Sequence, residues 1–77
     1  MTHRLNWTEL SGWNGNETAQ VPPDDKLASV FYRHDSVVWV GYFPDTVNGD
    51  TWVSGKTKDE AKTLMESTLI LKGVIEP

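Results

Sequence analysis

Two runs rich in β-branched and aromatic residues dominate the hydrophobic pattern of this chain. They span residues 27–33 and 37–43, and only His34, Asp35 and Ser36 separate them. Such residues are enriched in strands, and a three-residue spacer has the length of a hairpin loop. The pattern therefore predicts an antiparallel hairpin in the middle of the chain.

The second run is apolar on both of the faces that a strand presents. Side chains alternate along a strand, which places Val38, Val40 and Tyr42 on one face and Val37, Trp39 and Phe43 on the other. We therefore predict a central strand that is covered on both sides. Gly41, in its interior, indicates either a bulge or a close approach by another backbone.

A third strand and a helix are predicted to follow. Asn48-Gly49-Asp50 is typical of a turn, and residues 51–55 form a plausible strand. Thr57 and Glu60 have the spacing of a capping box, and Gly73 suits the position just after a helix. The predicted apolar face of the helix consists of Ala61, Leu64, Met65, Leu69 and Leu71, with Glu66 on the polar side.

The first third of the chain has a different character. Gly, Asn and Pro residues interrupt it, so residues 1–26 are predicted to form an arm, in which residues 4–10 could be a short strand. Pro22-Pro23 would end any strand that reaches Val21. We predict one α+β domain over residues 1–77. It comprises the arm and, over residues 27–77, an antiparallel meander of three or four strands with one packed helix (β-β-β-α).

Charge is concentrated in the arm. The chain of 77 residues has a formal net charge of −4. Residues 5–25 contain Glu9, Glu17, Asp24 and Asp25 and no lysine or arginine. This distribution argues against direct nucleic-acid binding, which requires clustered basic residues, and would suit a basic protein partner. Alternatively, mild acidity simply keeps a small protein soluble.

The sequence offers little that could perform catalysis. The candidate carboxylates for a two-metal site, Asp35, Asp45 and Asp50, all lie in predicted turns, where aspartate is common anyway. There is no cysteine, and the two histidines are far apart in the sequence. We therefore expect no enzyme activity, no metal and no cofactor. With no apolar run of membrane-spanning length, we expect a cytoplasmic protein without a membrane partner.

The aromatic residues allow several interpretations. Tyr32, Trp39, Tyr42 and Trp52 could pack in the core, form a protein-binding surface or stack nucleic-acid bases. Trp7 and Trp13 lie in the arm, where each either fixes the arm to the sheet or anchors a partner. Trp13 stands next to Gly12 and Asn14, which favours an exposed loop tip and makes it the preferred anchor.

One segment resembles a known family. A strand ending in Tyr-Phe-Pro-Asp, a glycine-containing excursion and a capped helix start are similar to the HicB-like antitoxin domain. The matching residues are Tyr42, Phe43, Pro44, Asp45, Gly49, Gly55, Thr57, Glu60 and Ala61. The resemblance covers roughly residues 26–72. It implies a partial ribonuclease-H-like fold without catalysis that binds and blocks a small RNA-cleaving toxin. Many members also carry a DNA-binding domain, for which this sequence offers no segment.

These observations lead to a functional hypothesis. The protein is predicted to be a non-enzymatic, antitoxin-like inhibitor of a small basic protein, with partner-binding residues Trp7, Glu9, Trp13, Glu17, Asp24 and Asp25. The alternative is a phage-encoded inhibitor of a host defence or nucleic-acid enzyme that uses the acidic surface to mimic phosphate. We further expect a homodimer, because a domain this small buries a marginal core. Ile70, which projects from the polar side of the helix, is its candidate contact.

Overall fold

A computed structural model describes residues 3–9, 15–21, 26–45 and 49–76. Within them, five strands form one antiparallel sheet and a single helix packs against it. The elements are β1 (Thr8–Glu9), β2 (Glu17–Val21), β3 (Lys26–Arg33), β4 (Val38–Phe43), β5 (Thr51–Gly55) and α1 (Lys58–Leu71). Each strand pairs with its neighbours in sequence, in the order β1-β2-β3-β4-β5. The α+β meander with one helix is thus confirmed, with five strands.

The additional strands come from the segment for which the sequence predicts an arm. β2 pairs with β3 along its whole length, from Glu17 opposite Val30 to Val21 opposite Lys26. β1 adds two residues to the outer side of β2. The sequence of β2, Glu-Thr-Ala-Gln-Val, has weak strand propensity by itself. Its place in the sheet depends on pairing with β3, which no local pattern reveals.

The hydrophobic core lies between the sheet and the helix. It is built from residues of three strands, the N-terminal segment and α1, namely Leu5, Ala19, Val21, Ala28, Val30, Phe43, Ala61, Met65 and Leu69. Small residues on β3 and β4, Ala28 and Gly41, let the helix approach the sheet closely, because a helix backbone can then come nearer to the strands. The helix contacts β3, β4 and β5.

Gly41 marks a close approach rather than a bulge. The pairing of β4 with β3 and β5 runs through this residue without interruption. A Cβ atom at Gly41 would lie 2.7 Å from Val53 Cγ2 and 3.1 Å from Met65 Cε. The glycine therefore provides the space into which these two core side chains pack.

The ends of the helix follow the sequence prediction. Thr57 is the N-cap, and its Oγ1 accepts a hydrogen bond of 3.1 Å from Glu60 N. Glu60 Oε1 in turn accepts from Lys56 N at 3.3 Å, one residue before the position that a capping box would use. At the other end, Gly73 has φ +74° and Val74 N donates to Leu69 O at 2.9 Å.

Four details of the predicted pattern are wrong. Leu71, predicted for the apolar face, is 88% exposed, whereas Glu66, predicted for the polar side, is 5% exposed. Leu64 is 39% exposed. The reason for Glu66 lies in the N-terminal segment, which packs over it. Val37 belongs to the turn and not to β4, with a φ of +55° that β-branched residues rarely adopt.

The two sides of β4 have different surroundings. Val53 and Met65 pack at Gly41 on the helix side of the sheet. On the other side, no helix or strand of the described residues covers β4. On that side Val40 is 8% exposed, whereas Val38 and Tyr42 of the same strand are partly exposed.

Candidate functional site

The side of the sheet that faces away from the helix carries several large apolar and aromatic residues. Val30, Gly41 and Val53 face the helix. Because side chains alternate along a strand, the residues next to them in each strand face the other side. We call it the open face, formed by Leu27, Ser29, Phe31, Val38, Val40, Tyr42, Trp52 and Ser54. Five of these eight residues, Leu27, Phe31, Val38, Val40 and Trp52, are wholly apolar or indole side chains.

An aromatic pair occupies the β4–β5 side of the open face. Tyr42 and Trp52 lie opposite each other in the register, with ring centroids 4.3 Å apart and ring planes inclined by 42°. Trp52 is nevertheless 61% exposed. A tryptophan that presents most of its surface to solvent is a frequent anchor in protein interfaces.

Tyr42 is held in place by Asp50. Its hydroxyl donates to Asp50 Oδ2 at 3.2 Å, and Asp45 N donates to Asp50 Oδ1 at 3.2 Å. Partial desolvation and the neighbouring Asp50 carboxylate both raise the pKa of Tyr42 above its ordinary value. The phenol therefore remains a protonated donor, and the ring keeps a fixed orientation beside Trp52.

Next to this pair the surface is concave. Phe31 stands opposite Val40, which is nearly buried although no helix lies above it. Beside Phe31 runs an open groove of about 410 Å³, lined by Asn16, Glu17, Ser29, Val30, Phe31, Tyr32 and Tyr42. An apolar floor with a few polar groups at its margin is the usual composition of a site that accepts one side chain or a small apolar group.

Charge on the open face is confined to its margin. Asp50 lies beside Tyr42 and Lys56 follows β5, while Arg33, at the end of β3, donates from its guanidinium to Asp35 Oδ2 at 2.9 Å. That contact lowers the pKa of the exposed Asp35 carboxyl. The surface around Phe31, Tyr42 and Trp52 therefore lacks the track of lysines and arginines on which a phosphate backbone would lie.

Of the six residues predicted to bind a partner, Glu17 has internal partners. Its two carboxylate oxygens form ion pairs of 2.7 Å with Lys58 and Lys62 of the helix. Burial raises the pKa of Glu17, but hydrogen bonds and charge interactions with the two lysines outweigh it and lower the pKa overall. The side chain connects β2 to α1.

Trp7 lies close by, on the same side of the sheet. Its Nε1 donates to Glu66 Oε2 at 2.9 Å, and the Lys62 ammonium lies 5.9 Å from the centre of its ring. Glu9 is exposed at the β1 edge. Trp13, Asp24 and Asp25 lie outside the described residues. The structure thus brings Trp7 and Glu17 together around Lys62, at the margin of the helix-covered side.

Glu66 attaches the N-terminal segment, residues 3–7, to the helix. Its carboxylate accepts hydrogen bonds from Leu5 N and Trp7 Nε1, both at 2.9 Å, and contacts His3 Nδ1 at 3.3 Å. Burial raises the pKa of Glu66, but these hydrogen bonds, with one from the Arg4 backbone, together hold it below the ordinary value of 4.5. An ionised glutamate therefore fixes residues 3–7 to the helix.

Sequence reasoning did not identify the open face as a site. It grouped Tyr32, Trp39, Tyr42 and Trp52 as one set, whereas the structure separates them. Tyr32 and Trp39 contact each other with centroids 5.5 Å apart, and Trp39 lies under the Lys58 ammonium of the helix. The alternation of Val38, Val40 and Tyr42 was the available signal, but it does not say which face lacks a covering element.

Comparison with known proteins adds no further assignment. No family model matches this chain, and no curated protein or solved structure matches it. Among the described residues, no group of three or more histidine, aspartate and glutamate side chains is arranged to hold a metal ion. The helix α1 is too short and too polar to cross a membrane.

Proposed function

We propose that this protein is a non-enzymatic binding protein whose open face docks a protein partner. The observation that carries the proposal is the exposed aromatic pair of Tyr42 and Trp52 beside the groove at Phe31. Small soluble domains seldom leave a continuous apolar patch exposed unless it serves an interaction.

The partner's chemistry follows from the surface. Stacking of single-stranded nucleic acid needs aromatic rings together with basic residues. The open face has the aromatic rings but no cluster of lysine and arginine residues. An apolar or aromatic side chain of a protein suits the groove, where Asn16 and Ser29 supply polar groups at the margin. The net charge of −4 favours a partner with a basic surface, because complementary charge accelerates association.

Within this class, the protein acts as an antitoxin-like inhibitor in the cytoplasm, which is the function that the resemblance to HicB-like domains implies. The alternative is a phage-encoded inhibitor of a host defence or nucleic-acid enzyme. The alternative inhibitor would use the acidic surface of the protein to mimic phosphate, and its target would be a host enzyme and not a toxin. The genes adjacent to this reading frame distinguish them, since one predicts a toxin frame and the other predicts phage genes.

Co-expression with the neighbouring reading frame tests the proposal. A tagged form of this chain should retain the neighbouring product on a column and relieve its toxicity. Calorimetric titration should then show that Trp52→Ala weakens the complex by at least ~2 kcal/mol, as for an interface hot spot. Leu71→Ala is the matched control, because Leu71 is also an exposed large hydrophobic residue but lies outside the open face.

Two results would contradict the proposal. One is a complex that Trp52→Ala and Leu71→Ala affect equally, because the open face would then not be the interface. The other is salt-dependent binding of single-stranded DNA or RNA by the purified protein, with a slope that indicates several phosphate contacts.

A further inference from the structure

The edge of the sheet at β5 has features that fit a second copy of the chain. β5 pairs with β4 on one side, and no strand of the described residues pairs with its other side. The opposite edge, β1, has only two residues. An unpaired edge strand offers backbone donors and acceptors to another strand, and proteins commonly protect such edges with proline or charge. β5, Thr-Trp-Val-Ser-Gly, contains neither.

Charges stand instead at the two ends of the strand, with opposite signs. Asp50 precedes Val53 by three residues, and Lys56 follows it by three. Both residues are exposed, and the Asp50 carboxylate keeps its hydrogen bonds from Tyr42 and Asp45 of its own copy while it contributes its charge at the edge. If two β5 strands pair in antiparallel fashion around a two-fold axis at Val53, Asp50 of each copy lies opposite Lys56 of the other. Cross-strand pairs of opposite charge stabilise a sheet, and like charges in the same place destabilise it.

The same register matches the sizes of the side chains between these charges. It places the large Trp52 opposite the small Ser54 of the other copy, on the open face. A two-fold interface must be complementary to itself in this way, since each residue meets a partner from the same patch. Shifting the register by two residues removes the contact between Asp50 and Lys56.

The helix leaves room for this arrangement. Lys58 and Lys62 reach toward Glu17 on β2, whereas Glu60 bonds to Lys56 N at the end of β5. Leu64 lies one turn beyond Glu60 and so on the same flank of the helix. It is 39% exposed. Leu64 therefore flanks the β5 edge on the helix side, as Trp52 does on the open face.

We propose that two copies of this chain pair through β5, in the antiparallel register that sets Asp50 against Lys56, to form one continuous ten-stranded sheet. The contact differs from the one expected at Ile70, which is partly buried. Pairing makes the two open faces continuous, and it requires no other protein.

Sedimentation of the purified protein across a range of concentrations tests the proposal. We expect a dimer that weakens as salt is added, because exposed ion pairs are screened. Asp50→Lys and Lys56→Asp should each weaken dimerisation on the order of tenfold, since two like-charge pairs arise in each symmetric dimer. The double variant, Asp50→Lys with Lys56→Asp, restores opposite charges and should recover the original affinity.

Three further measurements exclude indirect effects. Glu9→Lys changes the charge as Asp50→Lys does but lies at the opposite edge, and it should leave dimerisation unchanged. Leu64→Glu should weaken the dimer while circular dichroism shows an intact fold. Backbone amides of β5 should exchange more slowly with deuterium as protein concentration rises.

A monomer mass at every concentration would overturn the proposal. So would a dimer that withstands both single charge reversals, or one that the double variant fails to restore. Asp50→Lys also removes the acceptor of the Tyr42 hydroxyl, whereas Lys56→Asp leaves Phe31, Tyr42, Trp52 and the Asp50 contact unchanged. The result for Lys56→Asp, in an experiment that contains no partner protein, is therefore independent of the proposed docking on the open face.

Discussion

The two faces of the sheet are made by the same strands but from different kinds of residue. On the helix-covered face, Ala28 and Gly41 let the helix approach β3 and β4 closely. On the open face, the side chains at neighbouring positions are as large as Phe31 and Trp52. This small domain therefore buries its core on one face and exposes Trp52 and Leu27 on the other. Substitutions should therefore affect stability on the first face and binding on the second.

The largest loss in the free energy of unfolding is expected for Met65→Ala. Met65 is fully buried between the helix and the sheet. Its truncation removes apolar burial and leaves a cavity, which typically costs about 2–5 kcal/mol. Urea denaturation should show a large loss in the free energy of unfolding, and a loss below about 1 kcal/mol would place the core elsewhere.

A smaller loss is expected for Gly55→Ala. A Cβ atom at this position would lie 2.9 Å from Ala61 N and 3.0 Å from Glu60 Cβ. Because backbone is the nearest neighbour, the helix itself must move, at a cost of about 1–3 kcal/mol. Ser54→Ala, on the open face of the same strand, is the control and should change stability by less than about 0.5 kcal/mol. Equal losses of stability in Gly55→Ala and Ser54→Ala would show that the two faces of β5 do not differ in their contribution to stability.

The attachment of the N-terminal segment should depend on pH. The pKa of Glu66 is lowered in the folded protein. Its ionised form therefore contributes stability above the ordinary value of 4.5, and that contribution is lost as the pH falls through the folded-state pKa. Glu66→Gln should lower stability at pH 7 by about 1–3 kcal/mol, the cost of poorly satisfied buried hydrogen-bonding groups.

The comparison between acid and neutral pH makes this test specific. Between pH 7 and acid pH, the free energy of unfolding should decline less in Glu66→Gln than in the natural chain. Some decline persists through Glu17, whose pKa is also lowered. Parallel pH profiles for the two proteins would show that Glu66 is not ionised in the way described.

The smallest effect on stability is expected for Trp52→Ala. The indole is 61% exposed, so its removal forfeits little burial beyond the contact with Tyr42. An aromatic pair contributes about 0.5–1.5 kcal/mol beyond its buried area, and less when solvent reaches it. Thermal unfolding should therefore be nearly unchanged. A large drop in the midpoint would show that the open face is part of the core.

The sequence alone determined the parts of the fold that depend on local chemistry. The β3–β4 hairpin follows from its β-branched and aromatic runs, the start of α1 from Thr57 and its end from Gly73. Each of these signals acts within a few residues, through strand propensity, a side-chain cap or a left-handed glycine. Such signals can therefore be read from the sequence without knowing which elements pack beside them.

Only the tertiary structure decided which surfaces are covered. β2 becomes a strand because β3 offers a pairing edge, and Glu66 is buried because residues 3–7 pack over it. Val37 takes a strained turn conformation because the hairpin register places it there. For the same reason, the role of Trp52 could not be predicted. Alternation gives a strand two faces, but which of them receives the helix depends on contacts between residues that are distant in the sequence.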